Sequence, residues 1–340
     1  MARAKPSQSV AELPASDVSR NRSSTVLILC RHFAGYGGEE NYVMCLLDAL
    51  KEHDTVVFVT KSMDRSGFVP KARPNLRVQR YTIRHFLAYL AQHSRDTGLF
   101  ISFSADPFPK EWLAFKALDA CAFPKIIIPA GNDVTRVLKH YDHIAWEAGN
   151  ADAYGFGGHP KNALLHPPGL HPMNLPIEFP SFAPTAPYYL TVFNNYNKSV
   201  KGTDAVYEVA RQTTHPIIWC TRQQPLPDGI PGKLFPVSGS RNLLSMLMMN
   251  CRAYVCFSAT EGFSWSNFEA MMHGRPIVSR PIGVAGDFVD QIYSYQDTEH
   301  LVRILNDDCM QSSVNYDLLS FSPAYFMSQL QAITRGSAVR

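Results

Sequence analysis

With 340 residues the chain is too long for one small core and long enough for two domains of ordinary size. A hydrophobic fraction of 46% against 18% charged residues excludes a disordered chain, and a net charge of +3 gives no support to a polyanionic partner. No apolar run approaches the roughly 20 residues of a membrane-spanning helix. Seven cysteines without Cys-x-x-Cys spacing fit buried thiols in a reducing, cytoplasmic compartment better than a disulfide framework; peripheral contact with a membrane stays open.

Residues 1–24 carry Ser, Pro and Arg but no secretory h-region, and are expected to be a disordered tail. Thr25 to Cys30 is fully apolar, as expected for the first strand of a parallel sheet buried on both faces. A loop follows that contains Gly35, Gly37, Gly38, Glu39 and Glu40. The next segment places Val43, Leu46, Leu47 and Leu50 at helical spacing, with acidic residues in the first turn. Thr55 to Thr60 reads as a second strand and completes a βαβ unit. The glycines do not have the Gly-x-Gly-x-x-Gly spacing of a dinucleotide fingerprint. A plain turn and a ligand-facing backbone both remain open. Strands are expected again at Leu76 to Tyr81, Leu99 to Phe103, Lys125 to Pro129 and Ala163 to His166, an alternation that argues an open α/β sheet. Pro129 to Asp133 lies at a strand end, where such sheets bind ligands. His140, His143 and His159 are nearby in sequence and read as surface or core histidines. The proline density from Pro172 to Pro187 fits a semi-rigid linker.

Beyond it, Tyr188 to Phe193 reads as a strand that runs into Asn194, Asn195, Lys198, Lys201 and Gly202. A helix with Val206, Val209 and Ala210 on one face comes next. Further strands are expected at Pro216 to Cys220 and Lys233 to Val237. Arg241 ends the loop from Val237 ahead of a helix expected at Asn242 to Asn250; it could stack on a base, pair with phosphate or meet only solvent. The short apolar run Ala253 to Phe257 then feeds Glu261-Gly262-Phe263-Ser264-Trp265-Ser266-Asn267-Phe268-Glu269. Ser264 or Ser266 is expected to cap a helix that ends at His273, with Gly274 just past it and a strand at Pro276 to Ser279. A strand that ends in a Gly-bearing loop and opens into a helix presents free N–H groups and a positive dipole end, which suits a phosphate. Glu261 and Glu269 bracket that anion site. Carboxylates are poor phosphate ligands but good acceptors for sugar hydroxyls, so the pattern suggests a sugar that carries a phosphate. Near the end, Phe326, Leu330 and Ile333 mark one more helix.

The run from Glu261 resembles the E-G-F-G-x-x-x-x-E-A-x-x-x-G-x-P-V signature of retaining glycosyltransferases of family 4. It matches at Glu261, Gly262, Phe263, Glu269, Ala270, Gly274 and Pro276, and departs at Ser264, where Gly is common. The resemblance implies α/β architecture of the GT-B type: two Rossmann-like open parallel-sheet domains that face each other across a cleft. Residues 25–172 would form the acceptor domain, 173–187 the linker, 188–320 the donor domain, and 321–340 a closing helix that returns to the first domain. It further implies that Glu261 contacts the donor sugar and Glu269 the ribose, within a donor loop that includes Gly262, Phe263 and Ser264. Lys201-Gly202 is similar to the second half of the family's G-R-x-x-x-x-K-G diphosphate clamp. The Arg of that clamp is absent; Asn194 and Asn195 stand near its slot, with Lys198 as a candidate substitute. Gly37 and Gly38 resemble the family's G-G-x-E cleft loop. Gly283 matches its G-G-x-x-E loop, in which Val284 and Asp287 replace the second Gly and the Glu.

The implied activity is transfer of a hexosyl or pentosyl group from a nucleotide diphosphate sugar, with retained configuration and no further cofactor. No Asp-x-Asp stands in a suitable loop, which fits a metal-independent site. A glycan, lipid-linked glycan, protein, small molecule or modified nucleic acid could be the acceptor. Two other readings stay open: a GT-B protein that binds sugar or nucleotide with little or no turnover, and a nucleotide-sugar epimerase.

Overall fold

The computed structural model describes residues 24–33, 38–63, 73–103, 111–129, 134–148, 151, 155–169, 187–194, 198–221, 229–238, 241–307 and 309–335. The tail 1–23 lies outside them, and so does the Pro-rich segment up to residue 186. The described residues build two all-parallel sheets, and so two α/β lobes.

Seven strands form the first sheet: β1 (Thr25–Phe33), β2 (Thr55–Met63), β3 (Leu76–Arg80), β4 (Thr97–Ser102), β5 (Lys125–Ile127), β6 (His143–Trp146) and β7 (Asn162–Leu164). They lie in the order β3-β2-β1-β4-β5-β6-β7. Six form the second: β8 (Tyr189–Val192), β9 (Ile217–Cys220), β10 (Leu234–Val237), β11 (Ala253–Val255), β12 (Ile277–Ser279) and β13 (Tyr293–Ser294), in the order β10-β9-β8-β11-β12-β13. The connecting helices are α1 (Gly38–Ala49), α2 (Ile83–His93), α3 (Glu111–Asp119), α4 (Lys198–Lys201), α5 (Thr203–Gln212), α6 (Arg241–Asn250), α7 (Trp265–Met272), α8 (Thr298–Asn306) and α9 (Pro323–Thr334).

The unbroken apolar runs are explained by burial on both faces. In β1, Val26, Ile28 and Cys30 join one core, while Leu27 and Leu29 join the core on the other face. In the second sheet Ala253 and Val255 face one core and Tyr254 and Cys256 the other. Both strand orders reverse direction beside a central strand, between β1 and β4 and again between β8 and β11. A crevice opens outside the carboxyl ends at such a reversal, the usual ligand site of this kind of sheet.

β6 and β13 add to the expected set of strands; with four and two residues they are too short to show periodicity. The last helix starts later than its apolar pattern suggests. Phe321 closes a 3-10 turn and packs in the second lobe, and Ser322 caps α9 by accepting the Tyr325 N–H. Phe326, Leu330 and Ile333 of α9 then enter the core of the first lobe beside Ile28 and Val43. Each such side chain stabilises by about 1.5–3 kcal/mol when buried. α9 therefore crosses back and packs on the lobe that comes first in sequence.

None of the seven cysteines is in a disulfide. Burial pushes the Cys220 and Cys251 thiols up to about 12, which keeps them protonated and unreactive. Among the described residues, no helix is long and apolar enough to cross a membrane.

Candidate functional site

The reversal between β8 and β11 brings together two residues far apart in sequence. Lys201 ends α4 beyond β8, and Glu261 stands in the loop beyond β11. Lys201 Nζ lies 2.7 Å from Glu261 Oε1. Ser258 Oγ donates to the same carboxylate oxygen at 2.6 Å. The two loops are pinned to each other because the Ala259 N–H donates to the Val200 carbonyl at 2.8 Å. Both side chains keep some contact with water, at 22% and 16% exposure, so the pair is held yet reachable by a ligand.

α7 begins three residues after Gly262, with Ser264 in the N-cap position. Its φ of 64° and ψ of 72° are left-handed, and it is the one non-glycine residue with positive φ among those described. The expected cap does not form. The Ser264 hydroxyl makes no cap bond and is buried without a partner, while Ser266 Oγ accepts from the Tyr254 hydroxyl at 2.8 Å. A left-handed backbone aims Ser264 Oγ away from the amides it would cap, so the first-turn N–H groups of α7 have no side-chain cap. The same geometry explains why glycine is common here in the related signature. Ser264→Gly is expected to stabilise the fold by about 1–2 kcal/mol, the cost of a left-handed non-glycine residue. A chemical denaturation midpoint reads this directly; an unchanged or lowered midpoint contradicts it.

Gly283 reinforces the same loop. At φ 53° its hypothetical Cβ would sit 2.6 Å from the Phe263 carbonyl oxygen, which accepts the Val284 N–H at 2.8 Å. A side chain at 283 would break that contact between the 283–287 loop and the signature loop.

The site faces the other lobe. Trp265, the first residue of α7, packs against Tyr42 of α1 with ring centres 6.0 Å apart. A Cβ on Gly38 would meet Trp265 Cδ1 at 2.7 Å, so glycine at the start of α1 lets the two helices approach. Asn41 Nδ2 donates across the boundary to Glu269 Oε1 at 3.5 Å, and Glu269 is buried at 5% exposure. Glu147, just past β6, accepts a hydrogen bond from Trp265 and is buried against Tyr42 and Glu39. Burial raises the Glu147 carboxyl to about 8; the Trp265 bond opposes the shift and the Glu39 charge adds to it. Glu39 is itself buried but paired, with the Arg31 Nε 2.7 Å from its Oε2.

The Glu147 shift predicts a pH dependence. The unfolded carboxyl loses its proton near 4.5 and the folded one near 8, so between these values the native chain binds the extra proton. Stability from this group is therefore full below pH 4.5, falls as pH rises towards 8, and levels off above it. Glu147→Gln removes the titration, so its Tm should gain on the wild type across that window. Two parallel Tm-against-pH curves contradict the assignment.

The remaining candidates are described only in part. Asn194 at the end of β8 accepts from Thr221 Oγ1 at 3.4 Å, which ties it to β9. Asn195 and Gly37 lie outside the described residues; Lys198 and Arg241 belong to α4 and α6, and their side chains are not among those described. His140 stacks on Phe115 at 4.4 Å and meets Asp119 at 2.9 Å, a packing role away from the Lys201–Glu261 pair. His159 accepts from the Lys161 N–H within its own loop, and His143 opens β6. Asp287 lies 4.0 Å from His166, which burial keeps neutral and which stacks on Phe321 at 4.4 Å. Sequence reading did not single out Ser258, Asn41, Glu147 or Arg280. Ser258 and Arg280 follow strand ends, the one signal that could have drawn attention to them. Among the described residues, no three His, Cys, Asp or Glu side chains come together as metal ligands would.

The sequence matches no protein-family model and no curated protein. Solved structures do resemble it. HepE (Alr3699) of Anabaena, in complex with UDP and glucose, superposes with a TM-score of 0.67 at 15% identity, over 92% of this chain and 99% of that one. The lipopolysaccharide outer core galactosyltransferase WaaB gives 0.62 at 12% identity, over 92% and 99%. Sucrose-phosphate synthase of Thermosynechococcus elongatus gives 0.61 at 15%, over 92% and 97%. At such identities the likeness establishes the fold alone. This chain has the GT-B fold; its described residues form two all-parallel α/β lobes of seven and six strands whose contact runs through α1, α7 and α9.

Proposed function

We propose that the protein transfers a sugar from a nucleotide diphosphate sugar to a hydroxyl acceptor, with retention of anomeric configuration. The observation that carries this reading is the Lys201–Glu261 pair, set at the β8/β11 reversal beside the uncapped amino end of α7. The nucleoside diphosphate leaves as an ionised group, so catalysis consists of positioning and of stabilising negative charge on the leaving phosphate. Lys201 and the α7 amides serve that charge. Glu261 accepts from donor-sugar hydroxyls and Glu269 from the ribose. The bond from the anomeric carbon to phosphate oxygen breaks, the bond to acceptor oxygen forms on the same face, and the acceptor proton passes to the leaving phosphate. In this reading no metal ion or further cofactor takes part, and the enzyme works in the cytoplasm.

UDP sugars are the donors to test first, because structures of similar fold were solved with UDP, as HepE was, or with UDP-2-fluoro glucose, as a trehalose-6-phosphate enzyme of E. coli was. A binding panel of nucleotide sugars, followed by an assay for released nucleoside diphosphate, tests the reading. Saturable binding and release that grows on addition of a hydroxyl acceptor support it. Binding with no release favours a donor-binding protein without turnover, a reading that the absent Arg of the resembled clamp, with Asn194 and Asn195 near its slot, makes specific. A changed sugar recovered without acceptor favours an epimerase. Absence of binding across the panel overturns all three.

A further inference from the structure

We propose that Arg280 is the second cation of the donor site and binds the leaving diphosphate. This rests on the function proposed above and adds to it a residue that the signature does not contain.

The argument starts from charge. A nucleoside diphosphate carries at least two negative charges at neutral pH. Lys201 cannot balance them alone, because Glu261 sits 2.7 Å from its ammonium and Ser258 fixes that carboxylate in place. The pair presents a dipole and no net charge, and Glu261 repels phosphate. A strong anion site here needs another cation close by.

In the connections that leave β8, β11 and β12 before the next long helix or 3-10 turn, the described cationic side chains are Lys201 and Arg280. Arg280 directly follows β12, the neighbour of β11. Its Nη1 donates to the Ser258 carbonyl at 3.4 Å and to the Tyr295 hydroxyl at 3.2 Å. Ser258 is the residue whose hydroxyl holds Glu261, so Arg280 is one residue removed from the ion pair.

The guanidinium is also set in place before any ligand arrives. It lies over the Tyr295 ring, 4.7 Å from its centre, and the Tyr295 hydroxyl is anchored to the Cys256 carbonyl at 2.8 Å. Stacking fixes the plane of the guanidinium. Both contacts use Nη1; among the described residues its Nε and Nη2 donors have no protein partner. No carboxylate pairs with it there. A stacked guanidinium with two donors to spare and a half-buried position matches the bidentate geometry that phosphate oxygens accept. A merely structural arginine would be expected to spend its fork on protein acceptors.

The test compares nucleoside diphosphates with their nucleosides: UDP with uridine, GDP with guanosine and ADP with adenosine. The pair that wild type binds most tightly is then titrated into Arg280→Ala and Arg280→Lys by calorimetry. The expected result is a loss of diphosphate affinity of about 10- to 100-fold in Arg280→Ala, in line with a charge-assisted hydrogen bond. Nucleoside affinity should stay within about twofold, and Arg280→Lys should recover only part of the loss. Equal losses for nucleoside and diphosphate would assign Arg280 a structural role and overturn the proposal, as would unchanged diphosphate binding. Should wild type bind none of the diphosphates, the donor reading itself fails. Should it bind one and Arg280→Ala bind it equally well, only this inference fails.

Discussion

Glu261→Ala is expected to lower kcat by roughly a hundredfold or more, the range seen when one preorganised transition-state contact is removed. The carboxylate does two things in this account. It accepts from the donor sugar, and it holds the Lys201 ammonium at 2.7 Å in the geometry the leaving phosphate meets. Without it Lys201 gains freedom and the sugar loses its anchor, so the loss should fall on kcat more than on donor KM. Folding should suffer little. A partly exposed ion pair contributes on the order of 0–1 kcal/mol, so the Tm should stay close to wild type. Steady-state kinetics with the best donor settles the matter. A kcat within about threefold of wild type would remove Glu261 from the reaction.

Glu269→Ala is the second large effect. A carboxylate that accepts from ribose hydroxyls contributes through charge-assisted hydrogen bonds of about 1.5–3 kcal/mol each, so donor KM should rise at least tenfold and up to about a hundredfold or more. Glu269 is buried and meets Asn41 of the other lobe, so cavity formation could add a loss of its own. A deoxyribose control separates the two. Wild type should discriminate strongly between UDP and 2′-deoxy-UDP, and the variant should not. If Glu269→Ala keeps full discrimination, the ribose assignment is wrong even where its affinity drops. Glu269→Gln, which preserves shape, should show the same loss of discrimination with a smaller change in Tm.

The elements that sequence made legible share a physical cause. β1, β2 and β4 are buried on both faces, so their apolar runs are nearly unbroken. The Glu261 to Glu269 stretch stood out because an apolar strand, a glycine and a helix pattern surround it within a few residues. β6 escaped notice because His143–Trp146 is too short for either period, and its position matters: it delivers Glu147 to Trp265. The missing cap at Ser264 was hidden for a different reason. Serine is a frequent N-cap, and only the backbone angle, which no composition encodes, turns its hydroxyl away from the helix. Contacts between lobes were the least legible. Asn41 and Glu269 are 228 positions apart, and no local pattern links them. Arg280 looked like any charged residue after a strand until the Ser258 and Tyr295 contacts placed it beside the ion pair.

The most direct measurement is a crystal structure of the protein grown with the nucleoside diphosphate that binds best. The account predicts the diphosphate at the first-turn amides of α7, with Lys201 within hydrogen-bond reach of a phosphate oxygen and the ribose hydroxyls on Glu269. A nucleotide seated against the first sheet alone, or one whose phosphates point away from α7, would contradict it.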